Sequence, residues 1–243
     1  MNIAKLWSDV QTNALFLLVV AGIVAIIILA ARAAEIYLCG CEKQPKVTVR
    51  MAVTGMLAAL AFVLQLFEFP LVFLAPGFYQ LDFSEVPVLI CAFSMGPVAG
   101  VIAELLKNLL KILIRGTGTA FVGDFANFVI GCSLILPAAV VYCRKKTKAR
   151  AVIGCIVGTC VITVAGSLFN AVYLLPAFAK LYGIEMDALI AMGAELYPGI
   201  KSFGVYHFVT FCTAPINLIK GAMVSVVVML IYKPISRLLH NHY

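Results

Sequence analysis

Long apolar stretches, separated by short polar segments, run through almost the whole chain. A helix needs about 20 mainly apolar residues to cross the hydrocarbon core of a bilayer, and most of these stretches are that long. When they are divided at prolines, glycines and charged runs, the pattern predicts helices at residues 13–34, 50–69, 84–95, 97–114, 120–142, 150–176 and 204–232. We therefore expect an all-α membrane protein with seven helices.

The connection between the second and third predicted helices, residues 70–83, is unusually apolar and aromatic for a solvated loop. Its prolines argue against a continued helix. We expect it to fold over a membrane-embedded pocket as a lid. Ser84 is predicted to cap the next helix, with Glu85 in the first turn, where the helix dipole favours a negative charge.

Composition supports the membrane assignment independently. Hydrophobic residues make up 63% of the chain, charged residues only 12%, and the mean hydropathy is +1.07. Soluble domains usually carry about twice that charged fraction. Because no stretch outside the apolar segments is long enough for a soluble catalytic domain, we expect one integral membrane domain.

The net charge of +7 is concentrated in short segments beside the predicted helices, which is typical of membrane topology rather than of nucleic-acid binding. Lys and Arg mark cytoplasmic loops, so the pattern predicts a cytoplasmic C-terminus and an extracellular N-terminus. Residues 1–49 then form an extra N-terminal transmembrane helix and a cytoplasmic linker, and residues 50–243 form a six-helix domain. The basic residues concerned are Arg32, Lys43, Lys46, Arg50, Arg144, Lys145, Lys146, Lys148, Arg150, Lys233 and Arg237.

Polar side chains inside the apolar runs indicate a pocket. Asn217 and Lys220 lie in the last predicted helix, and a charged amine in the membrane costs several kcal/mol unless it faces a cavity or a partner. Glu104 and Lys107 are spaced so that they can form an ion pair on one helix face. The orientation places Asp82, Asp124, Asn127 and Asn170 in the outer half, which predicts a pocket that opens outward.

The eight cysteines do not show the C-x-x-C spacing of a zinc site. Cys39 and Cys41 lie in a basic loop, and the others lie within or at the edge of apolar runs. We expect these cysteines to pack as small hydrophobic residues and expect no metal site. Palmitoylation of Cys39 or Cys41 remains open.

Three segments together resemble the riboflavin-specific substrate-binding S component of energy-coupling factor (ECF) transporters. They are LDFSEVPVLICAFSMGPVAGVIAELLKNLLKILI, GTGTAFVGDFANFVIG and APINLIKG, and the similarity covers about residues 48–236. The resemblance implies a six-helix S-component bundle in the bacterial plasma membrane that binds one vitamin from outside. It also implies a transmembrane T component and two cytoplasmic ATPase subunits, and this sequence indeed lacks a G-x-x-x-x-G-K-[ST] phosphate loop. The helix at 13–34 is additional to the family pattern.

The same resemblance implies the residues of the site. The ligand-binding positions are Leu81, Asp82, Phe83, Asn127, Gly131, Asn170, Asn217 and Lys220. A surface for the T component is expected at Gly55 and Ala59, or at Thr54 and Ala58, because small residues spaced by four allow close helix approach. Riboflavin would be bound as transported substrate, so no cofactor is expected.

The chemistry of these residues suits riboflavin. Its ring has an apolar dimethylbenzene end and a polar edge with carbonyl acceptors and an N–H donor, and its ribityl tail carries hydroxyls. A carboxamide supplies both a donor and an acceptor, so Asn170 and Asn217 could bind the edge or the tail. Lys220 could donate to a carbonyl or hydroxyl oxygen. Phe78, Tyr79 and Phe83 could pack on the ring.

Alternatives remain open at this point. The same class of protein could bind thiamine, biotin, pantothenate or folate. A membrane enzyme using Glu104, Asp124 and Lys220 is a different class, but the sequence has no H-E-x-x-H or G-x-S-x-G motif. An autonomous secondary transporter would need an internal repeat or a coupling-ion site, and neither is evident.

Overall fold

Helices form wherever the hydrophobic pattern predicts them, with boundaries shifted by a few residues. A computed structural model describes residues 14–39, 46–200 and 202–240. The long helices are α1 Ala14–Leu38, α2 Val47–Gln65, α3 Glu85–Met95, α4 Pro97–Arg115, α5 Val122–Cys143, α6 Lys148–Phe169 and α10 Ala214–His240; the short ones are α7 Leu175–Tyr182, α8 Met186–Ala194 and α9 Val205–Phe208. The prediction of an all-α membrane protein is confirmed.

Five helical segments of the described chain are long and apolar enough to span a membrane. They are Phe16–Leu38, Val47–Gln65, Val122–Cys143, Lys148–Tyr182 and Val205–Tyr232. The other two predicted spans do not meet that description, since α3 has only 11 residues and α4 carries several charged side chains. Both are packed among the longer helices, and the count of seven spans stays a prediction.

Two spans contain a π-helical turn, which the hydrophobic pattern did not predict. The segment Asn170–Leu174 joins α6 to α7, and Val209–Thr213 joins α9 to α10. The span predicted to end at residue 176 therefore continues to Tyr182. The following connection contains α8. Single π turns are rare in helices and frequent at functional sites.

Glycines bring α5 and α6 into close contact. A Cβ atom on Gly154 would lie 2.6 Å from the carbonyl oxygen of Ala138, and one on Gly158 would lie 2.6 Å from that of Leu134. Any larger residue would push the two backbones apart. The two helices therefore pack closely along this face.

The additional helix α1 packs against α4 and α5. Ala31 is fully buried in a cluster with Val101, Phe128 and Cys132. At the same end, Cys39 and Cys143 form a disulfide with a Cα–Cα distance of 5.0 Å. The expectation that these two cysteines act only as small hydrophobic residues is therefore wrong. Residues 1–13 and 40–45, which include Cys41 and the middle of the predicted linker, lie outside the described residues.

A carboxylate also fixes the end of α1. Glu35 Oε2 lies 2.8 Å from Arg50 Nη2 of α2 and accepts a hydrogen bond of 3.2 Å from the backbone N–H of Val98. Val98 lies in the first turn of α4, where backbone N–H groups lack helical partners and a negative charge is favourable. One side chain thus joins α1, α2 and α4.

The predicted lid contains a short antiparallel β-hairpin. Strand β1 (Phe69–Pro70) pairs with β2 (Gln80–Leu81), and Phe69 lies opposite Leu81. The prediction that Ser84 caps α3 is wrong, because Ser84 already has helical backbone angles and its hydroxyl makes no capping bond. Instead, Asp82 Oδ1 accepts a hydrogen bond of 2.7 Å from the Ser84 N–H. The hairpin brings the loop back across the bundle.

Candidate ligand-binding cavity

A cavity of about 470 Å³ lies between the hairpin loop and the helix ends. A volume of this size suits a small organic ligand. Side chains of the loop, α4, α5, the π turn Asn170–Leu174, α7 and α10 surround it, together with residues between α4 and α5. The lining residues are Glu68, Phe78, Tyr79, Gln80, Leu81, Asp82, Lys111, Arg115, Gly116, Thr117, Gly118, Thr119, Gly123, Asp124, Ala126, Asn127, Ile130, Asn170, Leu174, Phe178, Ile216, Asn217 and Lys220.

Asn217 lines this cavity, and its side-chain nitrogen is a buried donor without a partner in the described residues. Its side chain is only 4% exposed, and no acceptor in the described part of the protein lies within hydrogen-bonding distance of Nδ2. A Cβ atom on Gly166 would lie 2.7 Å from that nitrogen, so the glycine makes room for the amide. Buried polar groups are normally paired, and an unpaired one costs about 1–3 kcal/mol. The donor is therefore placed to bind a ligand.

Asn170 is held by the lid and by its own helix. The Tyr79 hydroxyl donates a hydrogen bond of 2.7 Å to Asn170 Oδ1, and Asn170 Nδ2 donates one of 2.7 Å to the carbonyl oxygen of Gly166. Burial raises the pKa of Tyr79 above its usual value, so the hydroxyl keeps its proton and remains the donor. This contact joins the loop to α6, and sequence reasoning missed it.

Lys220 lies between two carboxylates. Its Nζ is 2.8 Å from Glu85 Oε1 and 3.6 Å from Asp82 Oδ2. Burial alone raises the pKa of Asp82, but Lys220, Lys107 and the hydrogen bonds of Ser84 outweigh burial and hold that pKa well below its usual range. Asp82 is therefore ionised at neutral pH, and its attraction to Lys220 ties the loop to α10.

A second layer of buried charges lies behind Lys220. Lys107 Nζ is 2.7 Å from Glu104 Oε1 and 3.3 Å from Glu85 Oε1, and it donates a hydrogen bond of 2.9 Å to Ser84 Oγ. The predicted pairing of Glu104 with Lys107 is confirmed. The contact of Glu85 with both lysines was not predicted, because these residues come from three separate helices.

On the opposite wall, Asn127 connects the cavity to the same layer. Its Nδ2 donates a hydrogen bond of 3.4 Å to Asn108 Oδ1, and Asn108 Nδ2 donates one of 3.1 Å to Glu104 Oε1. Buried polar side chains therefore run from Asn127 to Lys220 behind the cavity. One carboxylate oxygen of this network, Glu104 Oε2, has no hydrogen-bond partner in the described part of the protein.

Charged residues also surround the mouth of the cavity. Glu68 contacts Arg115 at 2.7 Å and Lys111 at 3.5 Å, and Lys111 lies 3.8 Å from Asp124. The lining as a whole contains three acidic and three basic side chains. Glu68 and residues 115–119 were not predicted as site residues, because Glu68 lies near the end of one predicted helix and residues 115–119 lie between two others.

The structure brings most of the predicted ligand-binding residues together. Two of them lie away from the lining: Phe83 packs near Phe69, with ring centroids 6.3 Å apart, and Gly131 packs against the Glu104 carboxylate. The residues that do line the cavity are Leu81, Asp82, Asn127, Asn170, Asn217 and Lys220.

The predicted partner surface on α2 divides into two faces. Thr54 and Ala58 are buried, and Ala58 packs in a core cluster with residues of α3 and α4. Gly55 and Ala59 lie on the exposed face of the helix, and no atom would lie within 4 Å of a Cβ on Gly55. Only the second pair is open to a partner in this structure.

The described residues contain no group of three His, Cys, Asp or Glu side chains arranged to hold a metal ion. The cavity instead offers amide and amine donors, a few carboxylates and aromatic walls. Together with the apolar helices, these features define a multi-pass membrane protein with a site for a small polar organic molecule.

Comparisons with known proteins agree with that class. A family model described as "ECF transporter, substrate-specific component" matches residues 49–232. The riboflavin transporter RibU of Staphylococcus aureus (strain TCH60) is 36% identical over 190 residues, which is 78% of this chain and 92% of that protein. The riboflavin transporter FmnP of Bacillus subtilis (strain 168) is 32% identical over 184 residues, covering 75% and 90% respectively.

A solved structure, titled "Structure and mechanism of the S component of a bacterial ECF transporter", matches with a TM-score of 0.63 and 36% sequence identity. The match covers 80% of this chain and 99% of that one. The chain belongs to the family of substrate-specific components of ECF transporters. The resemblance noted from sequence is confirmed, and the protein is a transport component rather than an enzyme.

Proposed function

We propose that this protein binds riboflavin and serves as the substrate-specificity component of an ECF transporter that takes up the vitamin. The observation that carries the proposal is the unpaired, buried donor of Asn217, which shares one cavity with Asn170 and Lys220. The relatives that bear the name riboflavin transporter support the choice of ligand.

The proposed contacts follow from the chemistry of each side chain. Asn217 Nδ2 donates to a carbonyl or hydroxyl oxygen of riboflavin, and Lys220 donates to a second one. Phe78 and Phe178 supply apolar and aromatic surface for the ring. Leu81, Asp82, Asn127 and Asn170 complete the wall. Phe83 and Gly131 act indirectly, by packing behind the residues that line the cavity.

The proposal includes partners that supply energy. A transmembrane T component and two cytoplasmic ATPase subunits would work with this chain, which has no phosphate loop of its own. The exposed pair Gly55 and Ala59 on α2 offers a flat surface for a helix of the T component.

The proposed location is the plasma membrane of a bacterium, with lipid around the apolar helices. The basic segments favour a cytoplasmic C-terminus and an extracellular N-terminus. In this arrangement residues 1–49 provide an added helix and linker, and residues 50–243 form the riboflavin-binding domain. The cavity then opens towards the outside of the cell.

The test is riboflavin binding by the purified protein, measured by quenching of flavin fluorescence. Asn217→Ala and Lys220→Ala should each weaken binding at least tenfold, because each leaves a ligand acceptor without its donor. Leu218→Ala, on the exposed face of the same helix, is the matched control and should bind normally. Thiamine, biotin, pantothenate and folate are tested in parallel. The proposal is wrong if the wild-type protein binds one of these and not riboflavin.

A further inference from the structure

The position of the Lys220 amine is set by a residue that does not line the cavity. Glu85, in the first turn of α3, is fully buried, and its Oε1 lies 2.8 Å from Lys220 Nζ. The other carboxylate beside Lys220 belongs to Asp82, at 3.6 Å. A lysine side chain has a flexible four-carbon stem, so the position of its amine depends on its closest hydrogen-bonding partner.

The Glu85 carboxylate is itself held from a second direction. Ser84 Oγ donates a hydrogen bond of 3.3 Å to Glu85 Oε2, and Lys107 Nζ lies 3.3 Å from Glu85 Oε1. Lys107 is fixed in turn by its ion pair of 2.7 Å with Glu104. Glu85 is thus a rigid acceptor, whereas Asp82 belongs to the loop that covers the cavity.

Stability alone does not account for this cluster. Burying ion pairs removes charges from water, and well-packed apolar residues in their place are often equally or more stabilising. The five ionisable side chains here comprise three acids and two bases, namely Asp82, Glu85, Glu104, Lys107 and Lys220, and all are at most 5% exposed. Within this cluster, Lys220 is the amine that lines the cavity, so the effect of the cluster on that amine is the place to look for its role.

We propose that Glu85 is the positioning residue for Lys220. By accepting one N–H of the Lys220 amine, it aims the remaining N–H groups into the cavity, where an oxygen of the ligand accepts. Without Glu85, the amine moves towards Asp82 and away from the ligand oxygen. This inference rests on the proposed binding of riboflavin, and Glu85 itself makes no contact with the vitamin.

A double-mutant cycle tests this role. Glu85→Gln should weaken riboflavin binding about tenfold in the wild-type background and leave it unchanged in a Lys220→Met background, since Glu85 acts only through Lys220. A merely structural role would lower affinity in both backgrounds. Glu35→Gln breaks a different ion pair, whose two residues do not line the cavity, and is the control that should leave affinity unchanged.

A second variant covers the case in which Glu85→Gln does not fold. Glu85→Asp keeps the charge but draws the carboxylate back by one carbon–carbon bond, about 1.5 Å. It should fold and bind riboflavin at least threefold more weakly than the wild type. In the Lys220→Met background, the same substitution should not weaken binding further. Wild-type affinity in either Glu85 variant, or an equal loss in both backgrounds, overturns the inference. Absence of riboflavin binding by the wild-type protein instead overturns the proposed function.

Discussion

At the scale of single residues, Gly166, which does not line the cavity, determines the position of the Asn217 amide. A Cβ atom on Gly166 would lie 2.7 Å from Asn217 Nδ2, which is closer than such atoms can approach. Gly166→Ala should therefore push the amide out of place and weaken riboflavin binding at least fivefold, although residue 166 does not line the cavity. Fluorescence titration of the purified variant provides the measurement.

Gly55→Ala is the matched control for this substitution. It makes the same change in a transmembrane helix, at a position where a Cβ meets no atom within 4 Å. It should bind riboflavin like the wild type. Unchanged affinity in Gly166→Ala would show that Asn217 can move without loss and is not a ligand donor.

Some site residues could be predicted from the sequence and others could not. Asn217 and Lys220 stand out because an amide and an amine in an apolar run need a polar environment. Glu85 was predicted only as a residue suited to the start of a helix. Its two lysine partners lie 22 and 135 positions away, and no local pattern connects residues of different helices at such separations. The hydrogen bond between Tyr79 and Asn170 was missed for the same reason.

At the scale of helices and loops, the disulfide between Cys39 and Cys143 should join α1 covalently to α5. We expect a protease site inserted within residues 40–45 to give an N-terminal fragment that stays attached on a non-reducing gel. The fragment should separate after a dithiol reductant is added, because reduction breaks the bond. The protein is alkylated at cell lysis and purified without reductant.

Cysteine variants provide the controls for this experiment. Cys39→Ser and Cys143→Ser should release the fragment even without reductant. Cys41→Ser, which replaces a cysteine two positions from Cys39, should not release the fragment without reductant. Both cysteines lie beside basic segments proposed as cytoplasmic, where thiols are kept reduced. Release from the alkylated wild-type protein without reductant would therefore show that the bond does not form in the cell.

The long helices were predictable because lipid imposes a minimum apolar length on each span. The hairpin of Phe69–Pro70 with Gln80–Leu81 could not be predicted, because strands of two residues are too short to show an alternating pattern. The π turn at Asn170–Leu174 also lacks a sequence pattern, yet it places Asn170 in the cavity wall.

At the scale of the whole molecule, the exposed face of α2 should matter for transport and not for binding. Gly55→Trp adds bulk beside Ala59, where the proposed T component would pack, so we expect normal riboflavin affinity and loss of uptake by cells. Ile26→Trp, on the exposed surface of α1, is the control and should retain uptake. Both variants are compared by binding assay and by accumulation of labelled riboflavin. Full uptake by Gly55→Trp would place the T component on another surface.

The equal numbers of acidic and basic side chains around the cavity have a consequence for the choice of cargo. Glu68, Asp82 and Asp124 are matched by Lys111, Arg115 and Lys220, so the wall as a whole carries no net charge. A neutral molecule can enter without disturbing these pairs. A phosphorylated flavin would bring negative charge into a wall whose cations are already engaged, and it could bind well only by breaking an existing pair. We therefore expect the free vitamin to bind more tightly than its phosphate ester, which a fluorescence titration with each flavin would check.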